Sequence, residues 1–377
     1  MTNPPTAIHI SWLKRSDGEG GGVEKFATYL KAALMERGWS VLIVSWNDMP
    51  HHERYDRQDV SNPDKALVLG SWLDGPAFGV AFDVAVSDGY WGLGITSHPV
   101  VPVIHGTWAE MHARMGMSFG LEVQRQGEAF NAPNAYPVAC SAASARELRR
   151  HHGRAATATI YHGIDLCAFH PRDEPLPPGP PWIILQVAGK NAKKGAKLLR
   201  PIAEMLGPDY QVEYLNAAIG EEPDAFRRGH VFLHPTYHEG NAYACLEAMA
   251  CDLPVVTTAA GVFEDIGYVQ PRHGWRTPVG YTLPVGARAE DFALAVRLAC
   301  CDVRDGSLRA SPRRWAEQHA NMTAFADAWD ALLREIVGAR HENMAPVFRL
   351  PAHAGPQHGR AGVHRRLSRR ATGEARP

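Results

Sequence analysis

Apolar residues in this chain fall into short unbroken runs separated by stretches of helical period. "AIHISWL" from Ala7 reads as a buried strand. Val23, Phe26, Ala27, Leu30 and Leu34 then share one helical face, and Gly38 marks its end. "SVLIVSW" from Ser40 is the next strand-like run, followed by "KALVLGSW" from Lys65, "FDVAVSD" from Phe82, "VVPVIHG" from Val100 and "YPVAC" from Tyr136. Ser141 is placed to N-cap a helix over "AASARELRRHH". Such strand–helix alternation predicts an α/β fold with doubly wound, mostly parallel sheets.

The alternation is interrupted at "HPRDEPLPPGPP" from His170, where proline density excludes both a helix interior and a central strand. It restarts with "WIILQVAG" from Trp182, "YQVEYLN" from Tyr210, "HVFLHP" from His230 and "LPVVTT" from Leu253. Helical segments are expected near Lys197, Ala225, Ala242 and Glu290. The pattern divides the chain into an N-terminal half over 1–170, a linker over 171–181 and a second α/β half over 182–311. One helical segment is expected over 312–337, with Trp315, Met322, Phe325, Trp329 and Leu332 as its apolar positions. Residues 338–377 are rich in Gly, Pro, His and Arg and cannot build a core, so disorder is expected there.

Length and charge narrow the classes. At 377 residues and a formal charge of −1, the chain is long enough for two cores and has no global electrostatic partner. No apolar run reaches the roughly 18 to 20 residues that cross a bilayer, and no export signal opens the sequence. The six cysteines form no C-x-x-C pair. These features suit a reducing cytoplasm, with peripheral contact at the inner membrane face through the basic tail as a further option. Arg365, Arg366, Arg369 and Arg370 in that tail leave solvated disorder, an anionic membrane or nucleic acid as alternative readings. Walker, G-x-S-x-G and zincin patterns are missing from the sequence, as is a D-x-D placed after a strand, so no metal and no cofactor is expected.

The chemistry concentrates in "HEGNAYACLEAMACDLPVVTT" from His238, where Glu239 and Glu247 flank a small, apolar segment. A buried carboxylate needs partners for its lone pairs, and vicinal sugar hydroxyls supply them without adding charge. Were the segment wholly helical, the two would stand roughly 12 Å apart, close to the length of a sugar diphosphate with its ribose. Free N–H groups at the helix start would then face phosphate oxygens.

This segment resembles the E-x7-E motif of retaining GT-B glycosyltransferases, especially glycosyltransferase family 4, and the likeness extends from Ala7 to about Ile336. The resemblance implies two Rossmann-like domains facing across a cleft, an N-terminal acceptor domain and a C-terminal nucleotide-sugar domain. It implies contact of Glu239 with donor-sugar hydroxyls and of Glu247 with the nucleotide ribose. "GEGGGVEKF" is similar to the family's glycine loop, with Gly21 and Gly22 at the double-glycine positions. "VAGKNAKKG" is similar to its phosphate-binding segment, which sets Lys190 and Lys194 as the two cations in a loop one residue short. His105 in "VIHGTW" matches a histidine beside the donor sugar, "IYHGIDLCAFHP" matches the interdomain segment with His162 in place of asparagine, and Glu264 matches a further glutamate. Gly240, Asn241 and Ala242 complete the donor-binding set. Asn241 and Ala242 stand where relatives carry an aromatic–glycine pair and Asp252 where they carry glycine, which suggests an unusual donor hexose.

The implied activity is retaining, metal-independent transfer of a hexose from a UDP-, GDP- or ADP-linked donor to an acceptor hydroxyl on a glycan, glycolipid or other small molecule, with Glu239, Lys194 and His105 as the catalytic set. Three alternatives remain: a GT-B fold sugar-nucleotide epimerase, a DNA-base glycosyltransferase, and a nucleotide-sugar-binding subunit without turnover.

Overall fold

A computed structural model describes residues 4–14, 21–215, 217, 220–267 and 275–344. The N-terminal half runs β1 (Thr6–Ser11), α1 (Gly22–Met35), β2 (Ser40–Ser45), α2 (His52–Arg57), α3 (Asn62–Asp74), β3 (Val84–Asp88), β4 (Val100–Ile104), α4 (Trp108–Met115), α5 (Gly120–Asn131), β5 (Val138–Ala139), α6 (Ala142–His152) and β6 (Ala158–Thr159). The second half runs β7 (Trp182–Gln186), α7 (Ala196–Leu206), β8 (Tyr210–Tyr214), α8 (Glu222–Phe226), β9 (Val231–His234), α9 (Tyr243–Ala250), β10 (Val255–Thr258), α10 (Val262–Asp265), β11 (Arg276–Thr277), β12 (Gly280–Leu283) and α11 (Ala289–Asp305). Helices α12 (Ser311–His319) and α13 (Met322–Met344) follow.

Two six-stranded sheets result, ordered β2-β1-β3-β4-β5-β6 and β11-β12-β10-β9-β7-β8. Every pairing is parallel except β11 with β12. Strand β1 pairs with β2 on one side, Ala7 opposite Val41, and with β3 on the other, Ala7 opposite Val84. In the second sheet β7 is likewise flanked by β8 and β9. At each of these two points the strand order reverses, leaving a crevice at the carboxyl ends of the strands, where open α/β sheets bind ligands. Asp88 and His105 stand at such ends in the first sheet, and the loops after Gln186 and His234 in the second. The fold is GT-B.

Two elements differ from the sequence reading. "KALVLGSW" lies within helix α3, not in a strand: Ser61 Oγ accepts from Asp64 N at 3.3 Å, Pro63 sits in the first turn, and Ala66, Leu69, Gly70 and Leu73 are buried on one face. A short apolar run fits either period, and the cap decides. The expected single C-terminal helix is two, because Asn321 Oδ1 accepts from Thr323 N at 2.8 Å and Ala324 N at 3.2 Å, starting a new helix there.

Helix α13 runs on through Gly338 to Met344 and packs on α1 of the first half, with the Phe325 and Trp329 rings against Phe26. Trp39 Nε1 donates to Asp330 at 2.7 Å and Arg37 to Asp327 at 2.8 Å, so α13 closes back over the first half. Gly18, Glu19 and Gly20 of the N-terminal loop and the arginine-rich tail lie outside the described residues.

Asp252 has a structural role. It adopts φ 61°, a conformation short polar residues tolerate, and its carboxylate accepts from Ala310 N at 2.8 Å and Arg313 N at 3.3 Å. The departure from glycine there serves the start of α12.

Candidate active site

A cavity of about 450 Å³ opens between the halves, where α1 and α9 start and the β7–α7 loop and the His105 and His162 segments meet. Gly21, Gly22, His105, Lys194, Glu239, Gly240, Asn241, Ala242 and Glu247 all line it. Lys190 does not; it is exposed, and its neighbour Lys193 lines the cavity with Lys194. Glu264 is also elsewhere, held by Arg114 at 2.8 Å and Arg146 at 3.2 Å. A groove of about 530 Å³ along the proline-rich segment and the end of α11 is lined by none of the residues expected to bind donor.

Glu247 is 2% exposed. It accepts a hydrogen bond from Lys25 Nζ on the first half, and the same ammonium lies 3.6 Å from Glu222. The sequence reading satisfied this carboxylate with diols alone; the fold supplies a cation. Lys25 sits in the first turn of α1, beside the apolar stripe and three residues beyond Gly22. Lacking a spacing rule that ties it to a glutamate 222 residues away, it left no signal.

Glu239 stands nearer the opening. The helix begins only at Tyr243, so residues 239–242 are not helical and the wholly helical spacing does not apply. His234 Nε2 donates to Glu239 Oε1 at 3.1 Å, and Lys193 Nζ lies 3.9 Å from Oε2. Burial pushes this carboxyl up, but Lys193, His234 and Lys194 outweigh it and hold the group well below the usual carboxylate range. It is therefore a charged hydrogen-bond acceptor at neutral pH.

Backbone geometry adds anion-binding capacity. Helices α1 and α9 both begin at the cavity, and neither N-cap residue, Gly21 or Ala242, has a side chain bonded to the first N–H groups among the described residues. Those groups are left for a ligand. Gly21 has φ −67°, so positive φ is not what requires glycine at this turn. A methyl at Gly22 would meet only Tyr243 at 3.7 Å, and at Gly21 only the flexible Glu24 side chain. At Gly240, by contrast, a Cβ would fall 2.5 Å from the His105 carbonyl oxygen and 2.7 Å from Cys140 Sγ, so only glycine fits.

Asp88 anchors the first-half wall. Its carboxylate accepts from His105 Nε2 at 3.0 Å and from His9 Nε2 at 3.3 Å. Burial would raise its pKa, yet His9 and His105 depress it well below the ordinary range. His234 and His238, four residues apart, diverge: His238 Nε2 donates across the cleft to Glu147 at 3.1 Å, whereas His234 serves Glu239. Asn241 Nδ2 donates to the Cys140 carbonyl at 3.1 Å, which turns its backbone carbonyl to His162 Nδ1 at 2.9 Å. His162 itself stacks on Tyr243 at 4.5 Å.

A second cavity of about 320 Å³ adjoins the first on the N-terminal side and shares Val23, His105 and Lys193 with it. Trp12, Tyr90, Trp91 and Trp108 line it, together with Met111 and the polar Asp88 and Gln126.

Glu110 ties this wall to the opposite half. It accepts from His151 at 2.6 Å and Arg114 at 2.8 Å, and Arg114 continues to Glu264 at 2.8 Å. Burial opposes ionisation of Glu110, but His151 and Arg114 bring its pKa down from 4.5 to about 2. A depressed carboxyl pKa adds stability that is fully present above 4.5 and is lost as pH falls toward 2. Acid unfolding followed by circular dichroism is therefore expected to be less steep in Glu110→Gln than in the unaltered protein across that window, and identical profiles would remove Glu110 from the link.

Residues 20–167 match the Glycosyltransferase Family 4 model and residues 181–302 the Glycosyl transferases group 1 model. The chain thus carries the two domains of a GT-B glycosyltransferase. Among solved structures it is similar to sucrose-phosphate synthase from Thermosynechococcus elongatus (TM-score 0.72, 16% identity, 89% of this chain and 100% of that one). It is similar also to Anabaena HepE in complex with UDP-glucose (TM-score 0.62, 14% identity, 88% and 99%). A glycosyltransferase from Rickettsia africae aligns with TM-score 0.60 at 14% identity over 89% and 99%. No curated protein matches the sequence significantly. Among the described residues no helix is long and apolar enough to cross a membrane.

Proposed function

We propose that this protein is a retaining, metal-independent hexosyltransferase using a nucleoside-diphosphate sugar. One observation carries the reading: the carboxylates of Glu239 and Glu247, the ammonium groups of Lys193 and Lys194, and the starts of α1 and α9 converge on a single cavity between the halves, which Lys25 and Glu222 also line. In this reading Glu247, held by Lys25, accepts from the ribose hydroxyls. The diphosphate lies against the α1 and α9 starts with Lys193 and Lys194, and Glu239 accepts from hydroxyls of the hexose beside His105. Both lysines would stabilise the charge that grows on the phosphate as the glycosidic bond breaks.

The reaction breaks the bond from the anomeric carbon to phosphate oxygen and forms one to the acceptor oxygen, and the acceptor's proton passes to the departing phosphate. Front-face attack is favoured because each of the cavity's carboxylates is held: Glu239 by His234, and Glu247 and Glu222 by Lys25.

The aromatic second cavity supports transfer over epimerisation, since an epimerase needs no acceptor site. The paired lysines support turnover over a purely binding subunit. UDP is the first donor base to test, in line with the UDP-glucose complex of HepE. Thermal-shift measurements against UDP, GDP and ADP are expected to show a raised melting temperature with one of them. No shift with any would refute the reading. In calorimetry, Glu247→Gln should weaken binding of that nucleotide by about 1–3 kcal/mol through loss of charge-assisted hydrogen bonds, and unchanged affinity would displace the ribose from this residue.

A further inference from the structure

Trp12 lies one residue beyond β1, Tyr90 and Trp91 two and three beyond β3, and Trp108 four beyond β4. These strands are adjacent and parallel, so the sheet itself gathers four large rings at its carboxyl edge, in the cavity that adjoins the donor cavity. The rings are held in place. Trp12 lies 5.0 Å from Trp91 and Trp108 lies 4.8 Å from Phe119, centroid to centroid, so the stacking faces are set before a ligand enters.

Polar groups in the same cavity are mostly engaged with one another. Gln126 accepts from Trp108 N at 2.9 Å and donates to the Gly106 carbonyl at 3.3 Å, Thr107 Oγ1 donates to Glu147 at 3.0 Å, and Asp88 holds two histidines. His238 is bonded to the same Glu147. Among the described lining residues, the polar side chains that are not buried are Glu24, His105 and Lys193. His105 and Lys193 also line the donor cavity, and Glu24 follows Val23, which lines both. Accessible polar groups are thus concentrated where the two cavities meet, and stacking surface elsewhere.

We propose that the acceptor is an uncharged, planar aromatic compound whose hydroxyl receives the sugar, with its ring system on the tryptophans and its hydroxyl at the junction of the two cavities. The assignment rests on the reading of the larger cavity as the donor site. A free sugar would bring several hydroxyls to a wall whose polar partners are already taken, and each one left unpaired costs binding. A phosphorylated or carboxylated acceptor lacks a cation: Lys193 is the sole lysine or arginine among the described lining residues, lies 3.9 Å from Glu239 and is assigned to the diphosphate. In transfer the acceptor O–H bond breaks and its oxygen bonds to the anomeric carbon. The bond from that carbon to the phosphate oxygen breaks, and the proton goes to the departing phosphate.

Equilibrium dialysis of the full-length protein at neutral pH with 2-naphthol, 2-naphthyl phosphate and methyl glucoside tests this. Of the three, 2-naphthol should bind most tightly. Trp108→Ala should weaken it about tenfold, the loss of one stacked ring and its contact area, whereas Trp108→Phe keeps a ring there and should stay close to the unaltered protein. Met111→Glu, at a half-buried position of the same cavity, should weaken it as well and serves if Trp108→Ala fails to fold. The nucleotide thermal shift should persist in every variant, since neither residue lines the donor cavity. Methyl glucoside or the phosphate binding as tightly as 2-naphthol, or 2-naphthol binding unmoved by Trp108→Ala and Met111→Glu, would overturn the acceptor class. No binding of 2-naphthol beside a normal nucleotide shift overturns that class alone; no nucleotide shift in the unaltered protein overturns the donor reading beneath it.

Discussion

Replacing Lys25 with methionine is expected to destabilise the protein by about 3 kcal/mol, because it removes the cation hydrogen-bonded to a buried carboxylate. Glu247 and Lys25 are 2% and 6% exposed, so neither charge can turn to bulk solvent when its partner is lost. Removing both charges, as Lys25→Met with Glu247→Leu, should recover most of the loss, since a buried pair replaced by apolar residues is often neutral. Urea unfolding of the two single variants and the double variant gives the coupling directly. A loss below about 0.5 kcal/mol for Lys25→Met, the size of an ordinary surface change, would mean that Glu247 is not held by this lysine.

The largest expected effect on activity is at Lys194. Its change to alanine should lower turnover about 100-fold or more, the usual consequence of removing one preorganised contact to developing charge. Lys193 should behave similarly, because it lines the same cavity and lies 3.9 Å from Glu239. Changing exposed Lys190 should leave the rate near that of the unaltered protein. Single-turnover transfer with saturating donor separates these outcomes. A normal rate for Lys194→Ala, or a large loss for Lys190→Ala, would return the phosphate site to the pairing suggested by sequence.

That contrast shows what was legible in the sequence and what was not. Strand runs such as "VVPVIHG" and "HVFLHP" announced both sheets because residues buried on two faces must be continuously apolar. The glutamates and Gly240 were legible because their chemistry is local to one segment. Lys25 was not, since its partner lies in the other half and only packing brings them together. Lys193 was missed because nothing in a run of lysines says which of them faces inward; its approach to Glu239 is made by the fold. Helix α3 was misread because its apolar run is too short to declare a period, and the Ser61 cap lies outside that run. Asp252 read as a specificity change, yet it caps α12 through a contact across 58 positions of the chain.

The central claim is that one interdomain cavity holds an activated sugar between Glu247 and Glu239. A crystal structure with a nucleoside-diphosphate sugar tests it most directly. The account predicts ribose hydroxyls within hydrogen-bond distance of the Glu247 carboxylate, diphosphate oxygens at the starts of α1 and α9 beside Lys193 and Lys194, and hexose hydroxyls on Glu239. Sugar nucleotide bound outside this cavity, or lying in it with neither glutamate touching a hydroxyl, would contradict it.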